Sequence, residues 1–330
     1  MLRIHFTPDD FARVRLAPRP APLQELNTAL AMVCRRDGDL LHGAWRRRTL
    51  RTLPKAVEPL ADLVPAGRAP SFLDVVADSL PDALEQVRAT PAEVLRAELE
   101  RVHAGARTAP PAWIQELRRG DAGARQLLHR AQRAAFEALL GPVWGQVQDL
   151  HHAEFVRRAV QLAEAGAGPL LAGLLPGARL DGGTWELPGR AREIRLGGRG
   201  LLLLPSFHWT GGPLLSDLPD RPVVLTYPAG PGFPLGPAGG DGPQALARVI
   251  GATRTDLLHL LADDRTTTEL ARLLRVSAAT VSAHTAALRG AGLISTTRAG
   301  KAVLHHRTAL GGLLLGNRPA VPAAGGADGN

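Results

Sequence analysis

The stretch Thr266-Thr-Thr-Glu-Leu-Ala-Arg-Leu-Leu-Arg-Val-Ser-Ala-Ala-Thr-Val-Ser-Ala-His-Thr-Ala-Ala-Leu-Arg289 decides how this chain is read. Thr266 and Glu269 stand three apart, the spacing at which a hydroxyl and a carboxylate cap each other's backbone N–H groups at a helix start. Leu270, Ala271, Leu273 and Leu274 then recur at helical spacing and predict one buried face. Arg275 and Val276 leave room for a tight turn only. Ser277 is placed to cap a second helix, in which Val281 and Leu288 lie seven residues apart on one side. Two short helices joined this tightly predict a helix-turn-helix.

Working outward, Gly290-Ala-Gly292 ends the second helix. Leu293 to Arg298 and Lys301 to Arg307, with Ala299-Gly300 between them, read as a hairpin with a basic tip. Upstream, Gln244 to Ile250 and Thr253 to Ala262 read as helices, the latter with Leu257, Leu258, Leu260 and Leu261 on a broad apolar face. With Val281 and Leu288 turned inward, the outer side of the second helix shows Ala279, Thr280, Ala283 and His284, with Ser282 flanking. These side chains are small and polar enough for close approach to a DNA major groove.

Charge points the same way. The chain carries a net +8, and the stretch from Arg265 to Arg318 alone carries +7, with Glu269 its one acid. Residues 1 to 264 sum to only +2. A compact basic segment attracts polyanions and gains affinity for DNA by releasing condensed counterions. A solvated arginine face is the bland alternative, and charge alone does not separate the two.

Here the sequence resembles the winged-helix part of ArsR-type bacterial transcriptional regulators. The resemblance is carried by Glu269-Leu-Ala271, Val276-Ser277, Thr280-Val281-Ser282, His284, Leu288-Arg289, Ala291-Gly292-Leu293-Ile294 and Arg298-Ala-Gly300-Lys301. It covers roughly Ala245 to Leu315, about a fifth of the chain. It implies double-stranded DNA as partner, a homodimer, and Ser277, Ala279, Thr280, Ser282, Ala283, His284 and Arg289 at the groove, with Arg298 and Lys301 on the neighbouring backbone. Three positions depart from the pattern. Arg275 stands where the turn usually has Gly, Thr285 replaces a common leucine, and Ala283 replaces a frequently basic residue. More loosely, Ile4-His-Phe-Thr-Pro8, Asp10-Phe-Ala-Arg13, Arg199-Gly-Leu-Leu-Leu-Leu-Pro-Ser206 and Leu225-Thr-Tyr-Pro228 resemble long regulators of this type, whose N-terminal domain has no assigned chemistry.

The rest of the chain supports a two-domain reading, α+β and mostly helical. Leu2, Ile4 and Phe6 alternate as a strand, and Thr7-Pro8-Asp9-Asp10 opens a helix. Helical patterns dominate from Leu23 to about Ala172, including packed helices over Asp121 to Gly166 that suit a dimer. Their apolar positions are Leu127, Leu128, Ala131, Ala135, Leu139, Phe155, Val156, Val160 and Leu162. Arg179 to Tyr227 reads as one small sheet. Eleven of sixteen residues from Pro228 to Pro243 are Gly or Pro, which marks a linker. The expected organisation is an N-terminal dimerisation or sensing domain over 1–228, a linker over 229–243, a winged helix over 244–318 and a disordered tail over 319–330.

Other chemistries find little support. Cys34 is the single cysteine, which denies the chain an internal disulfide and a thiolate metal site and fits a reducing cytoplasm. The N-terminus meets charge too early for a signal peptide, and no apolar run approaches a membrane span. His151, His152 and Glu154 read as ordinary helical surface, because neighbouring helical residues diverge by about 100 degrees and cannot readily chelate one ion. Neither metal nor cofactor is expected. Ser206 lacks a Gly-x-Ser-x-Gly setting and an evident acid partner, so no enzyme is expected. Of His305 and His306, alternation sends one inward to pack and leaves the other facing out. Trp185, Phe207 and Trp209, near the expected sheet, are candidates for a small-molecule effector pocket, with core packing the commoner use of such rings.

Overall fold

The computed structural model describes residues 1–35, 39–104, 109–230, 232, 235, 246–247, 249–299 and 302–315. It divides into two compact units, Met1–Pro237 and Ala238–Asn330. Most of the Gly/Pro linker and all of the tail lie outside the described residues.

The first unit starts with β1 (Leu2–His5), whose Leu2 and Ile4 turn into the core. Thr7 accepts the N–H of Asp10, and the Asp10 carboxylate accepts the N–H of Thr7, so a reciprocal cap with Pro8 in the first turn opens α1 (Pro8–Ala12). The other Asp10 oxygen accepts the N–H of Gly200 at 2.9 Å. Gly200 has φ +77°, and a β-carbon there would meet the Arg13 carbonyl oxygen at 2.7 Å, so only glycine fits. The chain then enters β2 (Val14–Leu16).

The helical part follows as α2 (Pro22–Cys34), α3 (Asp39–Thr52), α4 (Pro59–Asp62), α5 (Leu80–Arg88), α6 (Ala92–His103), α7 (Ala112–Arg118), α8 (Ala122–Leu139), α9 (Trp144–Ala165) and α10 (Ala167–Ala172). Its core is formed by Leu23, Leu26, Leu84, Leu99, Leu117 and Leu128 with their neighbours, and α8 runs through the middle. A short 3-10 turn at Gly141–Val143 separates α8 from α9, where the Gly-Pro pair interrupts the helical pattern.

The strands β3 (Arg179–Asp181), β4 (Thr184–Leu187), β5 (Arg192–Arg195), β6 (Leu201–Ser206), β7 (Leu214–Ser216) and β8 (Val223–Pro228) close the unit. The one small sheet expected over this stretch is instead two four-stranded sheets. The first runs β3-β4-β1-β5, with Leu2 opposite Leu187 and, in parallel, Arg192; the second runs β2-β6-β8-β7, with Val14 opposite Leu201. The two N-terminal strands each recruit different partners, which splits the set. Ile4, Trp185, Ile194, Leu201, Leu203 and Leu225 fill a second core with α10.

In the second unit, α11 (Ala252–Leu260) precedes β9 (Arg265–Thr266), α12 (Thr267–Leu274), α13 (Ala278–Gly290), β10 (Ile294–Ala299), β11 (Ala302–Arg307) and α14 (Ala309–Leu314). The sheet order is β10-β11-β9. Leu257, Leu258, Leu261, Leu270, Val281, Leu288, Leu293 and Ile294 form the core. Each contributes roughly 2 kcal/mol by leaving water. In so small a core, a helix cap worth about 1 kcal/mol counts. Among the described residues, no helix is long and apolar enough to cross a membrane.

Candidate nucleic-acid interface

α12 and α13 are built by their caps. Thr266 Oγ1 accepts the N–H of Glu269, and the Glu269 carboxylate accepts the N–H of Thr266 at 2.8 Å. The backbone N–H of Thr266 and its hydroxyl, which donates to the same carboxylate at 2.9 Å, hold the Glu269 carboxyl below its usual range. Arg275 ends α12 in the left-handed region, with φ 55° and ψ 41°, and so serves as the turn residue where glycine is easier. Ser277 Oγ accepts the N–H of Thr280 at 3.0 Å and opens α13.

α13 buries Val281, Thr285 and Leu288. Thr285, placed where leucine is commoner in the pattern, returns its hydroxyl to the carbonyls of Val281 and Ser282 at 2.9 and 3.1 Å, so burial leaves no polar atom stranded. The opposite face exposes Ala279, Ser282, Ala283, Ala286 and Ala287. Thr280 and His284, one turn apart, lie half-buried along one edge. Thr280 Oγ1 is also bonded to Ser277 Oγ at 2.8 Å. The surface offered by α13 is therefore a strip of small side chains between Ser282 on one flank and His284 on the other, wider than the outer side read from spacing because Ala286 and Ala287 extend it.

Arg289 is exposed at the far end of α13, about 18 Å along the axis from Ser277. Its charge is felt at His305, whose ring is held below its usual pKa by burial first, then by Arg289 and His306. It stands at the C-terminal end of α13, apart from Ser277 and Thr280 at its start. Arg298 is exposed on β10, opposite Val303. Lys301 and Gly300, at the tip, lie outside the described residues.

His305 is buried, with Nε2 2.9 Å from Thr267 Oγ1 and Nδ1 3.1 Å from Thr296 Oγ1. His306 turns outward onto Asp264 at 2.7 Å. Two basic residues of the segment are structural. Arg265 and Arg307 donate to the carbonyls of Leu260 and Leu258, at the negative C-terminal end of α11. Arg272, Arg275, Arg289 and Arg298 remain as exposed charges of this unit.

The three aromatic candidates of the first unit have different neighbours. Trp185 is fully buried, donates to the Leu171 carbonyl at 3.1 Å and meets Phe6 edge-on. Phe207 packs edge-on against His151. Trp209 is partly exposed, with Arg35 over its ring at 5.2 Å.

Around Phe207 lies a buried polar cluster that the sequence reading missed. The Glu25 carboxylate accepts the backbone N–H groups of Phe207 and His208, at 2.9 and 2.8 Å, and His208 Nδ1 at 2.7 Å. Thr28 and Ser206 share a hydrogen bond at 3.0 Å. The expected surface at His151 and Glu154 is corrected here: both are buried, and only His152 is exposed. Glu154 bonds Arg157, Arg158 and the Tyr227 hydroxyl. Burial pushes its carboxyl up, but the two guanidinium groups outweigh burial and hold it below its usual range. Burial also lowers His151 to about 4, against the pull of Glu25 and Glu154. Val156 and Val160, expected inward, are exposed instead. The inward face is Val147, His151, Glu154 and Arg158; Glu154 and Arg158 pair within the helix, while the Tyr227 hydroxyl and the Leu174 carbonyl reach them from other segments.

Residues 252–296 match the family described as bacterial regulatory protein, arsR family. The match runs from α11 into the first half of β10. The chain therefore carries the helix-turn-helix domain of a DNA-binding transcriptional regulator. No curated protein and no solved structure matches this chain.

Proposed function

From a chain that carries an arsR-family helix-turn-helix domain, we propose a homodimeric, sequence-specific transcriptional repressor that acts in the cytoplasm, without catalysis and without a metal or cofactor. The observation that carries this reading is the outer face of α13, capped by Ser277 and clad in small side chains, in a unit that also exposes Arg298 on β10. Such a helix enters a major groove with its N-terminal half leading, and base edges are read by the side chains that arrive first.

Ala279, Thr280, Ser282, Ala283 and His284 take the reading positions. Arg289, Arg298 and Lys301 take the phosphates, which position the protein without specifying sequence. A dimer sets two such helices about 34 Å apart on a pseudo-palindrome. The first unit dimerises and takes a small-molecule effector, with Phe207 and Trp209 nearest the polar cluster and Trp185 serving the core.

The test compares variants on a panel of duplexes. Arg298→Ala is expected to weaken binding to every sequence alike and to lower the slope of log affinity against log salt by about one unit. Ser282→Ala and His284→Ala are expected to change the ranking of sequences, by about 1 kcal/mol or more at a contacted base pair. Equal loss on all duplexes from all three variants contradicts the assigned roles.

A further inference from the structure

A second concentration of positive charge sits far from the winged helix in sequence. Between Leu40 and Val57 the chain carries Arg46, Arg47, Arg48, Arg51 and Lys55 and no acid. α3 sorts these arginines by face. His42, Arg46 and Thr49 turn inward, and Arg46 Nε donates to the Met32 carbonyl at 2.8 Å, which fixes the rotation of α3 against α2. With Arg46 held inside, Arg47, Arg48 and Arg51 emerge together with Ala44 on the opposite face, all exposed.

Several surface guanidinium groups in this unit are neutralised at close range: Arg3 by Glu186, Arg88 by Glu85, Arg101 by Glu98 and Arg199 by Asp217. Among the described residues, the side chains of Arg47, Arg48 and Arg51 have neither a carboxylate nor a carbonyl partner. Arg51, in the last turn, has a local use against the helix dipole. Arg47 and Arg48 stand a turn earlier, where that use fades.

We propose that this face of α3 is a second phosphate-binding surface, which grips the backbone of duplex DNA without reading its sequence. The proposal rests on the DNA-binding reading above for the identity of the polyanion. Arg47 and Arg51 stand one turn apart, about 6 Å along the axis, a spacing suited to successive phosphates of one strand. An acidic protein partner would need an apolar or aromatic anchor at the centre of the charges; among Arg47, Arg48 and Arg51 this face offers only Ala44, and the exposed Leu50 stands at its edge, toward the buried side.

The experiment uses the full chain and a long random-sequence duplex, with affinity followed across a salt series. Arg47→Gln/Arg48→Gln/Arg51→Gln is expected to lower the salt slope by roughly two to three units and to weaken low-salt binding at least about tenfold. Arg47→Lys/Arg48→Lys/Arg51→Lys, which keeps the charge, is expected to retain most of the slope. Gln and Lys are close to Arg in helix propensity, and the positions are exposed, so both variants should melt with the parent. A parental slope in the Gln variant, with Arg298→Ala still lowering it, overturns this proposal and leaves the winged-helix reading standing. Loss in the Lys variant equal to that in the Gln variant also overturns it, because charge would then not be the cause. Absence of duplex binding by the parent chain removes both.

Discussion

Two residues show how a side chain's environment departs from its type. Arg275 is an L-residue in a left-handed turn, a conformation that costs roughly 1 kcal/mol because its β-carbon crowds the following carbonyl. Arg275→Gly is expected to stabilise the second unit by about 1 kcal/mol, read as a higher denaturant midpoint at unchanged slope. Destabilisation would show that the arginine side chain makes a contact that outweighs the strain. The strain was legible in sequence, because a tight helix-turn-helix wants glycine at that position. His151 was not legible. Its neighbours Glu25 and Phe207 come from other parts of the chain, and adjacent histidines on a helix look like surface. Its folded pKa of about 4 lies below the ordinary 6.5, so the unfolded chain takes the proton first. The stability linked to His151 is therefore complete above pH 6.5 and is lost as pH falls toward 4, by as much as about 3 kcal/mol. Asp74 opposes this in an overlapping window, since burial and Glu98 raise it to about 6. The informative quantity is the difference between parent and His151→Gln. Denaturant unfolding of the two across this range should show the steeper acid loss in the parent, and parallel profiles would remove His151 from the account.

At the scale of elements, local spacing explains most of the second unit. The Thr266-x-x-Glu269 box, the Ser277 cap and the seven-residue step from Val281 to Leu288 each work within a turn or two of chain, so sequence alone carries them. β9 escaped notice because two residues show no alternation. It joins the sheet only because Leu304 and His305 come back to pair with Thr266 and Arg265. Thr266→Ala removes the hydroxyl that accepts the Glu269 N–H and is expected to cost about 1 kcal/mol, visible as a lower unfolding midpoint of the second unit. An unchanged midpoint would mean that the Glu269 half of the cap suffices. α9 shows the opposite case. Its apolar spacing pointed to Phe155, Val156, Val160 and Leu162, whereas its buried face is largely polar, because Glu154 is held by Arg158 and by Tyr227 from β8.

For the whole molecule, the first unit is held by pairings that span nearly two hundred positions, such as Leu2 with Leu187 and Val14 with Leu201, and no local pattern announces them. That is why the helices around Leu23 to Ala172 could be anticipated while the division of strands into two sheets could not. The same reach produced the Glu25 cluster, in which α2 clamps the turn after β6. In the other unit, the role proposed for the outer face of α13 is to read duplex DNA. The most direct measurement is selection of genomic fragments by the full chain, followed by affinity for the recovered site across a salt series, with Ser282→Ala and His284→Ala beside the parent. A recurring pseudo-palindrome, strong salt dependence and an altered site preference in both variants are the predicted result. Recovery of no common site, or a binding signal that ignores both salt and the two substitutions, would contradict the account.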